Sequence, residues 1–164
     1  MKLEEIKMKT YSIKGFYDED TATLTYVVYD SQTKDAIVID SVLDYDMAAS
    51  KTFTRSLDQL ETFLRSEKLR VHFALETHAH ADHLSGAPEL KKRFPELKTA
   101  IGRRITEVQE VFKKVFNLPD SFIPNGKQFD LLLDDKQKLN AGSIEIEVIS
   151  TPGHTCLLYT SDAA

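Results

Sequence analysis

The sequence predicts a layered α+β domain. Three observations carry that prediction. Apolar residues alternate with polar ones in an early series of short runs, as half-buried strands do. Further short runs then interleave with segments of helical periodicity. One of those runs ends in Thr77-His78-Ala79-His80-Ala81-Asp82-His83, a turn dense in side chains that carry chemistry. With 164 residues, the chain is long enough for one domain with a real core.

Residues 8–16 alternate loosely and predict a first strand. Leu24, Tyr26 and Val28 alternate with Thr25, Val27 and Tyr29 and predict a second. A polar turn at 31–35 leads to the buried run Ala36-Ile37-Val38-Ile39, so the three strands make an antiparallel meander. Asp40 ends the third strand, where a supporting role is expected of it. Val42-Leu43-Asp44-Tyr45-Asp46 reads as an acidic loop.

Phe53, Leu57, Leu60 and Leu64 recur at helical spacing, predicting a helix over 50–67 with one buried face. Val71, Phe73 and Leu75 alternate as a strand that delivers Thr77 and the histidines. His72 is expected on its opposite face, as a structural or surface residue. Ser85-Gly86-Ala87-Pro88 opens a helix to about Arg93, with proline tolerated in the first turn because it has no amide hydrogen to donate.

Residues 99–101 form a short strand, and Ile105, Val108, Val111, Phe112 and Val115 mark an amphipathic helix. Arg103 and Arg104 precede it and read as a solvated helix start. After a loop over 117–129, strands are expected at 131–133, around 138–139, and at 144–148. The last leads into Ser150-Thr151-Pro152-Gly153-His154-Thr155.

The net charge of −5 argues against a nucleic-acid partner, which needs a basic face. It also disfavours a nuclease. No apolar run approaches the length of a membrane span, and the charged start lacks the apolar stretch of a signal peptide. The single cysteine, Cys156, excludes an intrachain disulfide framework. These features predict a cytoplasmic protein with neither a membrane nor a nucleic acid as partner.

Three of the five histidines fall in the 77–83 turn. Imidazoles and a carboxylate suit zinc, iron or manganese. His78 and His80, at alternate positions, can share one side of an extended segment. Asp82 and His83 can face a second ion or support the first. His154 repeats this strand-end context after a Pro-Gly turn, so ligands can converge from two loops. Three protein ligands and an open position make a catalytic site, not a structural one.

His78-x-His80-x-Asp82-His83, followed by Thr151-Pro152-Gly153-His154-Thr155, resembles the metallo-β-lactamase superfamily over residues 9–155. That resemblance implies a four-layer αββα sandwich, of which this chain carries the N-terminal half. The run from Glu76 to Ser85, with Phe16-Tyr17-Asp18-Glu19-Asp20-Thr21 and the segment at 42–46, resembles the persulfide dioxygenase branch, near glyoxalase II in fold.

The dioxygenase branch implies one Fe(II) held by His78, His154 and an aspartate further along, with His80, Asp82 and His83 supporting them. The substrate implied is glutathione persulfide, oxidised to sulfite in sulfide metabolism. The glyoxalase II alternative implies one or two zinc ions, a thioester substrate, and His78, His80, Asp82, His83 and His154 all as metal ligands. Asp82 is also the candidate catalytic carboxylate. The full-length parent is expected to be an active homodimer, whereas this chain lacks the branch's later aspartate. Residues 1–155 are therefore expected to be the first part of the domain. Residues 156–164 match the in-frame reading of a transposase sequencing adapter and are expected to be a non-native tail. A third alternative is an inactive, truncated metal-binding fragment.

Overall fold

The computed structural model describes residues 11–151. The chain opens with β1 (Tyr11–Asp18), β2 (Thr23–Asp30) and β3 (Asp35–Ile39), paired antiparallel in sequence order. β4 (Val42–Asp46) and β5 (Lys51–Phe53) follow as an antiparallel pair. Next come α1 (Arg55–Ser66), β6 (Arg70–Glu76), β7 (Leu84–Ser85) and α2 (Ala87–Arg93). The chain continues through β8 (Lys98–Gly102), α3 (Ile105–Val115), β9 (Leu131–Leu133), β10 (Lys138–Ala141) and β11 (Ile144–Glu147).

The main sheet has six strands in the order β1-β2-β3-β6-β8-β9. Its first three form the predicted meander, and β3, β6, β8 and β9 run parallel. Both faces are covered, which explains why β3 reads as an unbroken apolar run. On one face Val27, Val38 and Ala74 pack under Leu57, Leu60 and Leu64 of α1 and Leu90 of α2. On the other, Ile37 and Phe73 pack under Ala141 and Ile144 of the β10–β11 hairpin. The result is mixed α/β layering, with helices on one side of the sheet and a hairpin on the other.

Three local expectations fail. The segment at 42–46 is a strand, not a loop. Val42 and Asp44 face inward, and the Asp44 carboxylate accepts the Ser56 amide at 3.0 Å and the Ser56 hydroxyl at 2.7 Å. The helix expected from residue 50 starts at Arg55, because Lys51–Phe53 pairs with β4 and Asp44 satisfies a first-turn amide.

The simple alternation expected along β6 is also broken. The β3–β6 register passes from Ala36↔Val71 to Ile37↔Phe73, so His72 is a bulged residue with no strand partner. Val71 therefore joins the helix-side core and Phe73 the hairpin-side core.

A small sheet in the order β5-β4-β7 ties the segment after the histidine turn back to β4. Gly86 lies at that tie. A Cβ there would come within 2.9 Å of both the Leu57 side chain and the Val42 carbonyl oxygen, so the close approach needs a glycine.

Candidate metal centre

The histidine turn begins where β6 ends, beside the C-terminal end of its parallel neighbour β3. In open sheets this is the end where loops gather and sites form. The turn is pinned by Asp40, one residue past β3. Its backbone adopts φ +52°, held by its own amide to Leu75 O at 2.9 Å and by the Thr25 hydroxyl on its carbonyl at 2.8 Å. A non-glycine residue in the left-handed region costs about 1 kcal/mol or more, so the surroundings must hold it there.

The strained backbone aims the Asp40 carboxylate at the turn. Oδ1 accepts the Thr77 amide at 2.7 Å and His80 Nε2–H at 3.0 Å, and Oδ2 accepts the Thr77 hydroxyl at 2.7 Å.

These bonds fix which nitrogen each imidazole can offer a metal. His80 gives its Nε2–H to Asp40, so Nδ1 is the nitrogen left to face an ion; that atom lies 3.8 Å from Asp82 Oδ1. The Thr77 hydroxyl has spent its hydrogen on Asp40 and accepts His78 Nδ1–H at 2.8 Å, which leaves the lone pair of His78 on Nε2. His83 donates Nδ1–H to the Leu84 carbonyl at 3.0 Å, again placing the lone pair on Nε2. Hydrogen-bonded nitrogens of this kind set the tautomer and orientation of metal-binding histidines.

The rings lie together. The centroids of His78 and His80 are 4.0 Å apart, and those of His80 and His83 are 4.1 Å apart. One ligand atom each from His80, Asp82 and His83 falls within a 4.8 Å span, compatible with one cation. The side chain of His80 is 6% exposed and that of Asp82 49%, so the set runs from a buried anchor to an open carboxylate. A cleft of about 510 Å³ opens onto His80, Asp82 and His83 and is walled by Tyr45, Met47 and Leu84.

Electrostatics favour a cation here. Burial by itself would lower the His80 pKa, but the hydrogen bond to Asp40 and the nearby Glu76 carboxylate outweigh it and raise it to about 9. Burial likewise opposes ionisation of Asp40, and the bonds from His80 and Thr77 prevail, holding its pKa below the ordinary carboxylate value. An imidazole between two buried carboxylates calls for positive charge, from a proton or from a metal ion. The donor set of imidazoles and one carboxylate suits zinc or iron alike.

The structure therefore gathers four sequence-expected residues, His78, His80, Asp82 and His83. His154 lies outside the described residues, as do Cys156 and the 156–164 tail. Arg103 and Arg104 are engaged at the start of α3, with Asp134 and Glu107 respectively. Glu76 belongs to the centre and was missed by the sequence reading. The signal was an acid following directly on the apolar run Phe73-Ala74-Leu75.

The fold is of mixed α/β architecture, and the centre gathers His and Asp groups that could hold a metal ion. The sequence matches the profile of the metallo-beta-lactamase superfamily over residues 19–164, and the chain belongs to that superfamily. It is 47% identical over 150 residues to "Probable metallo-hydrolase" of Burkholderia pseudomallei, covering 90% of this chain and 51% of that protein. It is 42% identical over 149 residues to "Glyoxylase B2" of Dictyostelium discoideum, with coverages of 90% and 51%. It is 25% identical over 143 residues to human "Persulfide dioxygenase ETHE1, mitochondrial", with coverages of 87% and 44%.

The solved structure of ETHE1 from Myxococcus xanthus shares the fold, with a TM-score of 0.63 at 20% identity, over 88% of this chain and 50% of that one. The chain thus spans about half the length of the curated relatives it matches. Among the described residues, no helix is long and apolar enough to cross a membrane.

Proposed function

We propose that the full-length protein is a metal-dependent persulfide dioxygenase, and that this chain carries the first half of its catalytic domain. The observation that carries the reading is the convergence of pre-oriented imidazoles with Asp82 at the mouth of a cleft. Similarity to the human persulfide dioxygenase supports it, as do the motifs from Glu76 to Ser85. In the balanced reaction one persulfide, one dioxygen and one water give the thiol, sulfite and two protons.

A ferrous ion at this centre would supply the redox chemistry and open positions for thiolate and dioxygen. His78 and His154 of this chain would hold it with a carboxylate from the remainder, and His80, Asp82 and His83 would support them. Asp40 fixes the tautomer of His80 directly and that of His78 through Thr77. The cleft beside Tyr45, Met47 and Leu84 would receive the reacting sulfur. Glutathione persulfide is the proposed substrate, the cytoplasm the proposed compartment, and a homodimer the proposed assembly.

A thioester hydrolase is the second reading, favoured by the higher identity to "Glyoxylase B2" and "Probable metallo-hydrolase". There His80, Asp82 and His83 would serve as direct ligands of one or two zinc ions. Metal analysis of the full-length protein, with oxygen uptake on glutathione persulfide, separates the two. One iron per chain and uptake are expected. Two zinc ions, no uptake and hydrolysis of an S-acyl glutathione would replace the dioxygenase with the hydrolase.

A further inference from the structure

Glu76 closes β6 with its side chain only 2% exposed. Oε1 accepts the Ser85 hydroxyl at 2.6 Å, and the Ser85 oxygen in turn accepts the Ala87 amide at the first turn of α2 at 3.2 Å. Oε2 lies 3.1 Å from His80 Nε2, yet no hydrogen bond reaches it among the described residues, because the Nε2–H is directed at Asp40. A buried carboxylate oxygen without a donor is costly and calls for an explanation. The apolar run Phe73-Ala74-Leu75 just before it sharpens the question, since Leu or Val would fill the strand end at no such cost.

The geometry supplies an answer. Residues 77–84 form a turn whose two ends are Glu76 and Ser85, and the Glu76 side chain spans them from the inside. One oxygen holds the far end of the turn, and the other sets a negative charge against the inner edge of the His80 ring. Asp40 approaches that same edge from β3, so two carboxylates from adjacent strands bracket one nitrogen.

We propose that Glu76 is a positioning residue of the metal centre: it struts the histidine turn through Ser85 and, with Asp40, keeps the proton of His80 on Nε2, so that Nδ1 is the atom presented to the ion. The inference rests on His80 being a ligand, as the hydrolase reading has it. Asp40, Glu76 and His80 also place ligand atoms within 4.8 Å of one another, which suggests a second cation on the inner side. Asp40 argues against it, since its two oxygens already accept three hydrogen bonds.

The test uses the full-length protein and cobalt(II) as the probe. Glu76→Gln keeps an acceptor for Ser85 but removes the charge beside His80. Cobalt affinity, measured by chelator competition, is expected to fall by about 10–100-fold, the usual loss when an outer partner of a ligand is removed. The cobalt d–d spectrum is expected to change, and thermal unfolding of the metal-stripped protein to stay close to wild type. Wild-type affinity and spectrum in Glu76→Gln would overturn the proposal.

Nitrogen-15 spectra of the cadmium-loaded wild type provide a check that needs no variant. Coordination through Nδ1 of His80 is expected, and coordination through Nε2 would overturn the strut. A second cobalt equivalent that vanishes in Glu76→Gln would make Glu76 a ligand and equally overturn it. His80→Ala separates the two levels. If that change leaves cobalt binding intact, the ligand reading itself fails; if it abolishes binding while Glu76→Gln does not, only the strut falls.

Discussion

β3 and β6 lie side by side, and an aspartate–histidine pair sits at each end of them. At the start of the strands, Asp35 meets His72 at 2.7 Å. Just past their other end, Asp40 meets His80 at 3.0 Å. The residue types are the same, yet the pairs differ in what else surrounds them. Asp35 also accepts the Arg70 guanidinium at 2.9 Å and the Ser143 amide at 2.8 Å. It ties the sheet to the β10–β11 hairpin and is closed.

The Asp40–His80 pair leaves the second ring nitrogen of His80 facing Asp82, in a turn with two more imidazoles. A pair of this kind becomes a site when one ring nitrogen is held and the other opens onto further donors. When backbone amides and an arginine complete the carboxylate, it becomes a clasp.

The largest expected effect breaks the comparison outright. With His80 as a zinc ligand, as in the hydrolase reading, His80→Ala in the full-length protein should weaken zinc binding by more than about 100-fold, exceeding the 10–100-fold typical of losing an outer partner. His72→Ala should leave metal affinity unchanged. Metal content after dialysis against a graded chelator reads both. Equal losses from the two variants would mean that the ends are not functionally distinct.

How much of this was legible in the sequence follows from the range of each signal. The histidine turn was visible because its chemistry lies within seven consecutive residues. The meander was visible from its alternating and apolar runs, α1 and α3 from their helical periods, and α2 from its Gly-Ala-Pro opening. The bulge at His72 was not, since regular alternation and a slipped register look alike until the partner strand is known. β5 and β7 were missed because Lys51–Phe53 and Leu84–Ser85 offer no apolar run, unlike the equally short Leu131–Leu133.

The role of Asp35 was invisible for another reason: its amide donor lies 108 residues away. Glu76 was quoted in the motif but not weighed, because nothing local shows that a strand-end acid is buried.

The clasp should matter most for stability. Asp35→Ala removes the acceptor of the Ser143 amide and leaves His72 without its partner. A loss of about 2–4 kcal/mol is expected, as when one partner is cut from a buried charged network. Urea unfolding measures it, and the metal affinity of the folded variant should stay near wild type. Gly142→Ala approaches the same lesion from the hairpin side: at φ +62° a Cβ would come within 2.3 Å of the Asp35 carboxylate. The cost there is about 1–3 kcal/mol, from a side chain forced into the left-handed region and a displaced acceptor.

Acid should loosen the clasp in a predictable direction. Burial disfavours ionisation of Asp35, but bonds from His72, Ser143 and Arg70 prevail and place its pKa well below the ordinary 3.8. Asp30, held mainly by the Thr33 and Gln32 amides, is lowered too. A lowered folded-state pKa adds stability that is fully present above the unfolded value and is lost as pH falls through the folded one. The wild type should therefore lose stability below about pH 4, and Asp35→Asn should flatten that loss. Unfolding midpoints taken across pH 2–7 test the slope, and equal slopes would remove Asp35 from the account.

The smallest effect distinguishes the parts of the clasp. The Arg70 side chain is 70% exposed while that of Asp35 is 7% exposed. Water screens the guanidinium, and its long side chain loses entropy when held in place. Arg70→Ala should therefore cost less than about 1 kcal/mol, although the contact is short and well aligned. Its loss leaves Asp35 with His72 and the Ser143 amide, so the carboxylate keeps buried partners. If Arg70→Ala proved as damaging as Asp35→Ala, the charge pair would outweigh the buried hydrogen bonds. The clasp would then differ from the metal centre in owing its strength to an exposed cation.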